Sequence, residues 1–278
     1  MKNIVKIIGL FVLIVFSFFY SDKVASVISS KDSLMVKIDN AAANYDVKSI
    51  SGIIKDNTII PGIRGRKVNI NNSYKKMREY GEFNDDLIVY DYINTSNSLE
   101  DNKDKFIISG NDTKNMVSII FILDNVKYID KLDSVVKNKG IVINYFVSSN
   151  FLISNSTYIT NLNNVEIYNY GDDGKYYPDN LLFYNNLITR ITNNKAIYCL
   201  SLDYDSDVLS LCSKNNLYTV VPNIIKSDPY IGVKNSVKSG SIILFELNNN
   251  SITELSIIID YIKGKGLDIV GLSNLLSE

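Results

Sequence analysis

Apolar residues follow two different rhythms along this 278-residue chain. The first is a single unbroken run: Ile7 to Tyr20 carries no charge, is interrupted only by Gly9 and Ser17, and follows Lys2 and Lys6. A positive end leading into an apolar segment is the pattern of a membrane-targeting element whose positive side stays in the cytoplasm. Counted from Ile4, with Lys6 snorkelling, the run falls at the short end of the roughly 17–25 residues that a spanning helix needs. The segment is apolar all round, which argues against an amphipathic helix packed on a domain. We read residues 1–21 as a signal-anchor helix. The rival is a cleaved signal peptide, for which Val24-Ala25-Ser26 offers small residues at a suitable distance. Either reading puts the chain from about residue 27 onward outside the cytoplasm, at the cell membrane or secreted.

The second rhythm begins near Met116, where short β-branched runs alternate with helix-length segments. Val117–Leu123, Ile141–Val147, Val165–Tyr168, Ala196–Leu200, Leu217–Val221 and Ser241–Phe245 are continuous apolar runs, as expected of parallel strands buried on both faces. Candidate helices lie between them at 127–137, 179–192, 205–214 and 252–263. Strand and helix in alternation predict a parallel sheet with helices outside, either open or closed into a barrel. The intervening chain is less regular. Residues 22–57 mix Ser, Asp, Lys and Ala with sparse apolar positions and read as a stalk. Residues 58–114 hold the turn signal Pro61-Gly62, a short helix near 72–80 and strands near 87–90 and 105–108. That block is too small for a large core and is expected to pack on the domain at 115–278.

Composition narrows the chemistry. Lys and Arg number 29 against 30 Asp and Glu, so no net field steers the protein to nucleic acid. Histidine is absent. That removes the commonest protein metal ligand and the side chain that ordinarily titrates near neutral pH. Cys199 and Cys212 are compatible with export, and we expect free, buried thiols, with pairing as the alternative. Neither has the basic surroundings of a nucleophile.

The strand runs 117–121, 141–147 and 217–221, the segment Ser239-Gly240-Ser241-Ile242-Ile243-Leu244, the helix 252–263 and the closing stretch Gly266 to Leu276 together carry a resemblance. They are similar to the successive strands and closing helix of the polysaccharide deacetylases, the NodB-homology family or carbohydrate esterase family 4. The resemblance covers about residues 115–278. It implies an irregular (β/α) barrel and an activity that removes N- or O-acetyl groups from glycans with a divalent metal held by one Asp and two His.

The residues that would do this are missing. At the family's Thr-Phe-Asp-Asp-Gly the chain reads Ile120-Phe121-Ile122-Leu123-Asp124, so Ile122 and Leu123 replace the base and the metal-binding aspartate. At His-x-x-x-His it reads Tyr170-Gly171-Asp172-Asp173-Gly174, with Tyr170 and Gly174 at the ligand positions. Cys199 to Asp203 lack the family's arginine, and Glu246 stands where the acid histidine would be. Amide hydrolysis by this route needs a metal, a base and an acid, and Ile and Leu supply none. We therefore expect a membrane-anchored pseudoenzyme without cofactor that serves cell-wall glycan binding or scaffolding. The alternative is an active deacetylase whose metal site has been rebuilt from Asp124, Asp172, Asp173 and Glu246. Against it, Asp172-Asp173-Gly174 also reads as a simple turn. Asp124 is expected on the face opposite Leu123 unless it lies in the loop above the strand. Tyr170 joins these carboxylates as a candidate pocket residue, while Tyr168, Tyr176 and Tyr177 are candidates for stacking on sugar rings. A contact with another membrane protein through residues 59–112 is a third possibility.

Overall fold

The structure, a computed structural model, describes residues 11–17, 32–162, 164–172, 174–225 and 228–278. Most of the expected anchor lies outside these, and its residues 11–17 are helical and exposed. Among the described residues no helix is long and apolar enough to cross a membrane. Contacts divide the chain into two units, one of residues 50–63 and 95–278 and one of residues up to 49 and 64–94.

The larger unit runs, in chain order, β1 (Ile53–Lys55), β2 (Thr58–Ile60), β3 (Phe106–Ile107), β4 (Met116–Leu123), α1 (Ile129–Lys139), β5 (Ile143–Ser148), α2 (Ser149–Ser154), α3 (Ser156–Ile159), β6 (Val165–Gly171), α4 (Leu181–Thr192), β7 (Tyr198–Leu200), α5 (Ser206–Lys214), β8 (Tyr218–Val220), β9 (Asn223–Ile225), α6 (Pro229–Ser236), β10 (Ile242–Phe245), α7 (Asn249–Gly264), β11 (Asp268–Ile269) and α8 (Leu272–Leu275). One sheet has the order β9-β10-β4-β5-β6 with every pair parallel, and β11 adds to the start of β4. The other has the order β1-β2-β3-β8-β7, parallel except for the β1–β2 hairpin. This is the mixed α/β architecture with parallel strands that the alternation predicts.

Two features join the sheets. An aromatic ladder runs across four successive strands, Phe146 on β5 to Tyr168 on β6 to Tyr198 on β7 to Tyr218 on β8, with ring centroids 5.3, 5.1 and 5.9 Å apart. Tilted and edge-on rings at such spacings attract one another beyond the area they bury. The second feature is Pro222, between β8 and β9. Proline has no N–H to give to a ladder, so the extended run 218–225 splits and its second half pairs with β10 in the other sheet.

β4 is the spine. Val117, Ile119, Ile120, Phe121 and Leu123 are completely buried, which explains why the run is continuous and does not alternate. α1 covers it with Ile129, Leu132 and Val136, and α7 with Leu255, Ile258, Ile259 and Ile262. Asn144 of β5, like Ser118 of β4, is a buried polar residue in this interior. Its amide donates to the Ile119 carbonyl at 2.9 Å and its oxygen accepts from the Leu272 N–H at 2.8 Å, so one buried side chain ties β5 to β4 and to α8.

Two expectations need correction. Cys199 of β7 and Cys212 of α5 form a disulfide, with Cα atoms 6.6 Å apart, and are not free thiols. α5 packs against β8, the strand that follows it and pairs with β7, which brings two buried sulfurs face to face. The 22–57 segment is also more than a stalk. It contains the helix Ser33–Ala42, capped by the Asp32 carboxylate, and the strand β1. Leu34 and Ile38, one helical turn apart, bury its inner face together with Val68, Met77 and Ile88. These belong to the smaller unit, whose other elements are the antiparallel pair Gly65–Val68 and Tyr90–Ile93 and the helix Ile70–Met77. The 58–114 block is thus shared between the two units.

Candidate functional site

Parallel strands deliver their C-terminal ends to one side of a domain, and loops there form its binding surface. In the larger unit this side holds a cavity of about 790 Å³. β4 contributes Ile122 and Asp124, β6 and its turn contribute Tyr170, Gly174 and Lys175, the chain after β7 contributes Leu200 to Asp203 and Asp205, and β10 contributes Leu244 to Leu247. All four strand ends at which the sequence departs from the deacetylase motifs therefore meet at one cavity.

The inner wall is apolar. Ile122 faces the cavity while Leu123 is fully buried in the core, as alternation on a strand requires. Asp124, just past the strand, falls on the same side as Ile122 and lines the mouth, where it is exposed and accepts from the Asn125 side-chain amide at 2.5 Å. Glu246 is likewise exposed, with the Asn248 amide 3.3 Å from its carboxylate. Solvent and this neighbour account for a carboxylate placed directly after a buried strand.

Asp172 does not line the cavity. Its backbone exchanges hydrogen bonds with Lys175, 2.8 Å from the Asp172 N–H to the Lys175 carbonyl and 3.1 Å in return, which closes a tight turn. Gly171 and Gly174 flank it with φ of +68° and +86°. At Gly171 a Cβ would lie 2.3 Å from the Lys175 carbonyl oxygen, so only glycine fits. Asp173 lies outside the described residues. The ring of Tyr170, nine-tenths buried, closes over Gly174, where a Cβ would approach its hydroxyl to 3.0 Å. Tyr170 and Gly174 thus fill each other's space at the two positions where the resemblance implies imidazoles.

Among the described residues, no three Asp, Glu or Cys side chains are grouped so that they could hold a metal ion. The residues at the three ligand positions that the resemblance implies, Leu123, Tyr170 and Gly174, do not fit a divalent cation either.

Two of the three stacking candidates are structural. Tyr168 is 1 % exposed and its hydroxyl donates to Glu166 at 2.7 Å. Tyr176 is also buried: its hydroxyl donates to the Asn169 carbonyl at 3.0 Å and accepts from the Leu200 N–H at 2.9 Å, so it clips β6 to β7 behind the cavity. Burial holds both phenols well above the usual tyrosine range, with the Leu200 backbone contact pulling the other way at Tyr176. Neither ring offers a face to solvent. Tyr177 does, at 47 % exposure.

Sequence reasoning missed Ser201, Asp203 and Asp205. Asp205 caps α5, accepting from the Asp207 N–H at 2.8 Å, and its own N–H donates to the Ser201 hydroxyl at 3.0 Å. The available signal was the polar segment between a β-branched run and a helix that opens at an Asp.

No family model matches the chain. Among curated proteins, the uncharacterized protein YlxY of Bacillus subtilis is 37% identical over 109 residues, which span 38% of this chain and 34% of that protein. Among solved structures, BA3943 of Bacillus anthracis, a family 4 carbohydrate esterase pseudoenzyme, superimposes with a TM-score of 0.67 at 20% identity over 89% of this chain and 96% of its own. A BA3943 mutant with restored enzymatic activity gives the same TM-score. PdaA of Bacillus subtilis, a family 4 carbohydrate esterase, gives 0.53 at 17% identity over 62% of this chain and 84% of its own. The chain therefore has the fold of the family 4 carbohydrate esterases, a fold common to enzymes and to a pseudoenzyme.

Proposed function

We propose that this protein is a degenerate, catalytically inactive member of the polysaccharide deacetylase family that binds cell-wall glycan outside the cytoplasm, held at the membrane by its N-terminal apolar segment. One observation carries the reading: the cavity at the strand C-terminal ends is kept, while the positions that would hold metal, base and acid in it are Ile122, Leu123, Tyr170, Gly174 and Glu246. An apolar inner wall with polar groups at the mouth suits a sugar, which has both kinds of surface. The likeness to BA3943, a pseudoenzyme of which a mutant has restored enzymatic activity, supports a pseudoenzyme reading.

The test has two arms. Full-length protein supplied with Zn²⁺, Co²⁺, Mn²⁺ or Mg²⁺ is expected to release no acetate from chitooligosaccharides or peptidoglycan above a heat-inactivated control. It is expected to bind these glycans, and Leu202→Arg, which puts a bulky charge on the cavity wall, is expected to abolish binding. Acetate release sensitive to Glu246→Ala would overturn the loss of activity. Absence of any glycan binding would overturn the binding role.

A further inference from the structure

A second cavity, of about 450 Å³, opens beside the first. Gly174, Lys175, Asp205 and Val208 line both, so the two are compartments of one cleft. The second compartment is walled by Tyr177 and Pro178 on one side and by α5, as far as Lys214, on the other. Each volume lies within the roughly 300–1,000 Å³ range of a small-molecule site, so together they exceed what one sugar ring fills.

Tyr177 is built to be rigid while nearly half exposed. Before it, Tyr176 is pinned by its hydroxyl between β6 and β7. After it, Pro178 restricts the Tyr177 backbone to extended conformations. Its carbonyl accepts from the Leu181 N–H at 3.0 Å, which fixes it to the start of α4. A backbone fixed on both sides reduces the entropy lost when a ligand stacks on the side chain it carries. Lys175, Asp205 and Lys214 place charged hydrogen-bonding groups around it, suited to the hydroxyls at the edge of a pyranose.

We infer that Tyr177 is the platform of a second saccharide subsite, and that the ligand is a sugar chain lying across both compartments. The inference rests on the glycan-binding reading and adds to it that affinity is spread along the chain. It is tested by titrating full-length protein with chitooligosaccharides of increasing length. Affinity is expected to rise from disaccharide to tetrasaccharide, and Tyr177→Ala to weaken the tetrasaccharide by about tenfold, the loss expected of one aromatic contact, with disaccharide binding unchanged. Tyr177→Phe, which keeps the ring, is expected to bind like the natural protein. If the disaccharide binds but length brings no gain, or if Tyr177→Ala weakens every length equally, the second subsite is wrong while glycan binding stands. If no length binds, both fall.

Discussion

At the two positions where the resemblance implies histidines, the chain carries residues packed to fit one another. Tyr170 leans over Gly174, and Gly174 occupies a positive φ that side chains rarely adopt. Putting the ligands back is therefore not a local edit. Tyr170→His with Gly174→His would remove a buried ring and force a bulky residue to φ +86°, a strain of about 1–3 kcal/mol. We predict that this double variant is less stable in urea unfolding and shows no Zn²⁺-dependent gain in stability, since Ile122 and Leu123 still contribute no oxygen ligand. A rise in midpoint with added Zn²⁺ would show that two imidazoles suffice. Tyr176 makes a second residue-scale case. Tyr176→Phe leaves the buried Leu200 N–H without its acceptor, and such an orphan costs about 1–3 kcal/mol. The expected result is that loss in urea unfolding, and an unchanged stability would mean the backbone finds another partner.

The elements carry the cavity, and the disulfide holds one of its walls. Cys199 sits next to Leu200 on β7, Cys212 near the end of α5, and Leu200 to Val208 between them supply one side of the cleft. A bridge across 13 positions stabilises by about 3 kcal/mol through the unfolded chain it constrains. Cys212→Ser is predicted to lower the urea unfolding free energy by about that amount. It is also predicted to weaken glycan binding, because α5 is no longer tied to β7. Stability lost with binding intact would make the bridge purely structural. At this scale much was legible from sequence. The runs 117–123 and 141–147 are legible as strands because burial on both faces leaves them almost wholly apolar, with Ser118 and Asn144 as the polar members, and the helices at 127–137 and 205–214 fall within a few residues of α1 and α5. What sequence left hidden has physical causes. β1 and β2 are three residues long, too short for any period to register. The 149–159 helices were not read because their apolar residues fall in two short groups, Phe151-Leu152-Ile153 and Tyr158-Ile159, among Ser, Asn and Thr, too few to set a helical period. The cysteines look like small core residues until the packing of α5 is known. The place of Asp203 and Asp205 on the cavity wall depends on β7 ending there, a long-range fact that no local pattern encodes.

For the whole molecule, two independent features bear on where it resides. The chain begins with an apolar run behind two lysines, and its larger unit holds a disulfide between residues that are 1 % and 0 % exposed. Structural disulfides form and persist in oxidising compartments and are rare in the reducing cytosol. In a reducing compartment the two thiols would be free to label once the protein unfolds. The two features make one prediction together: the larger unit lies outside the cytoplasm, and its sulfurs are already paired there. In cells quenched with acid and denatured, a maleimide polymer should not shift the protein on a gel unless it is first reduced, whereupon two labels should add, one for each of its two cysteines. Protease applied to intact cells should digest the larger unit. Two labels without reduction, together with full protection from protease, would place the domain in the cytoplasm and remove the cell wall as the source of its ligand.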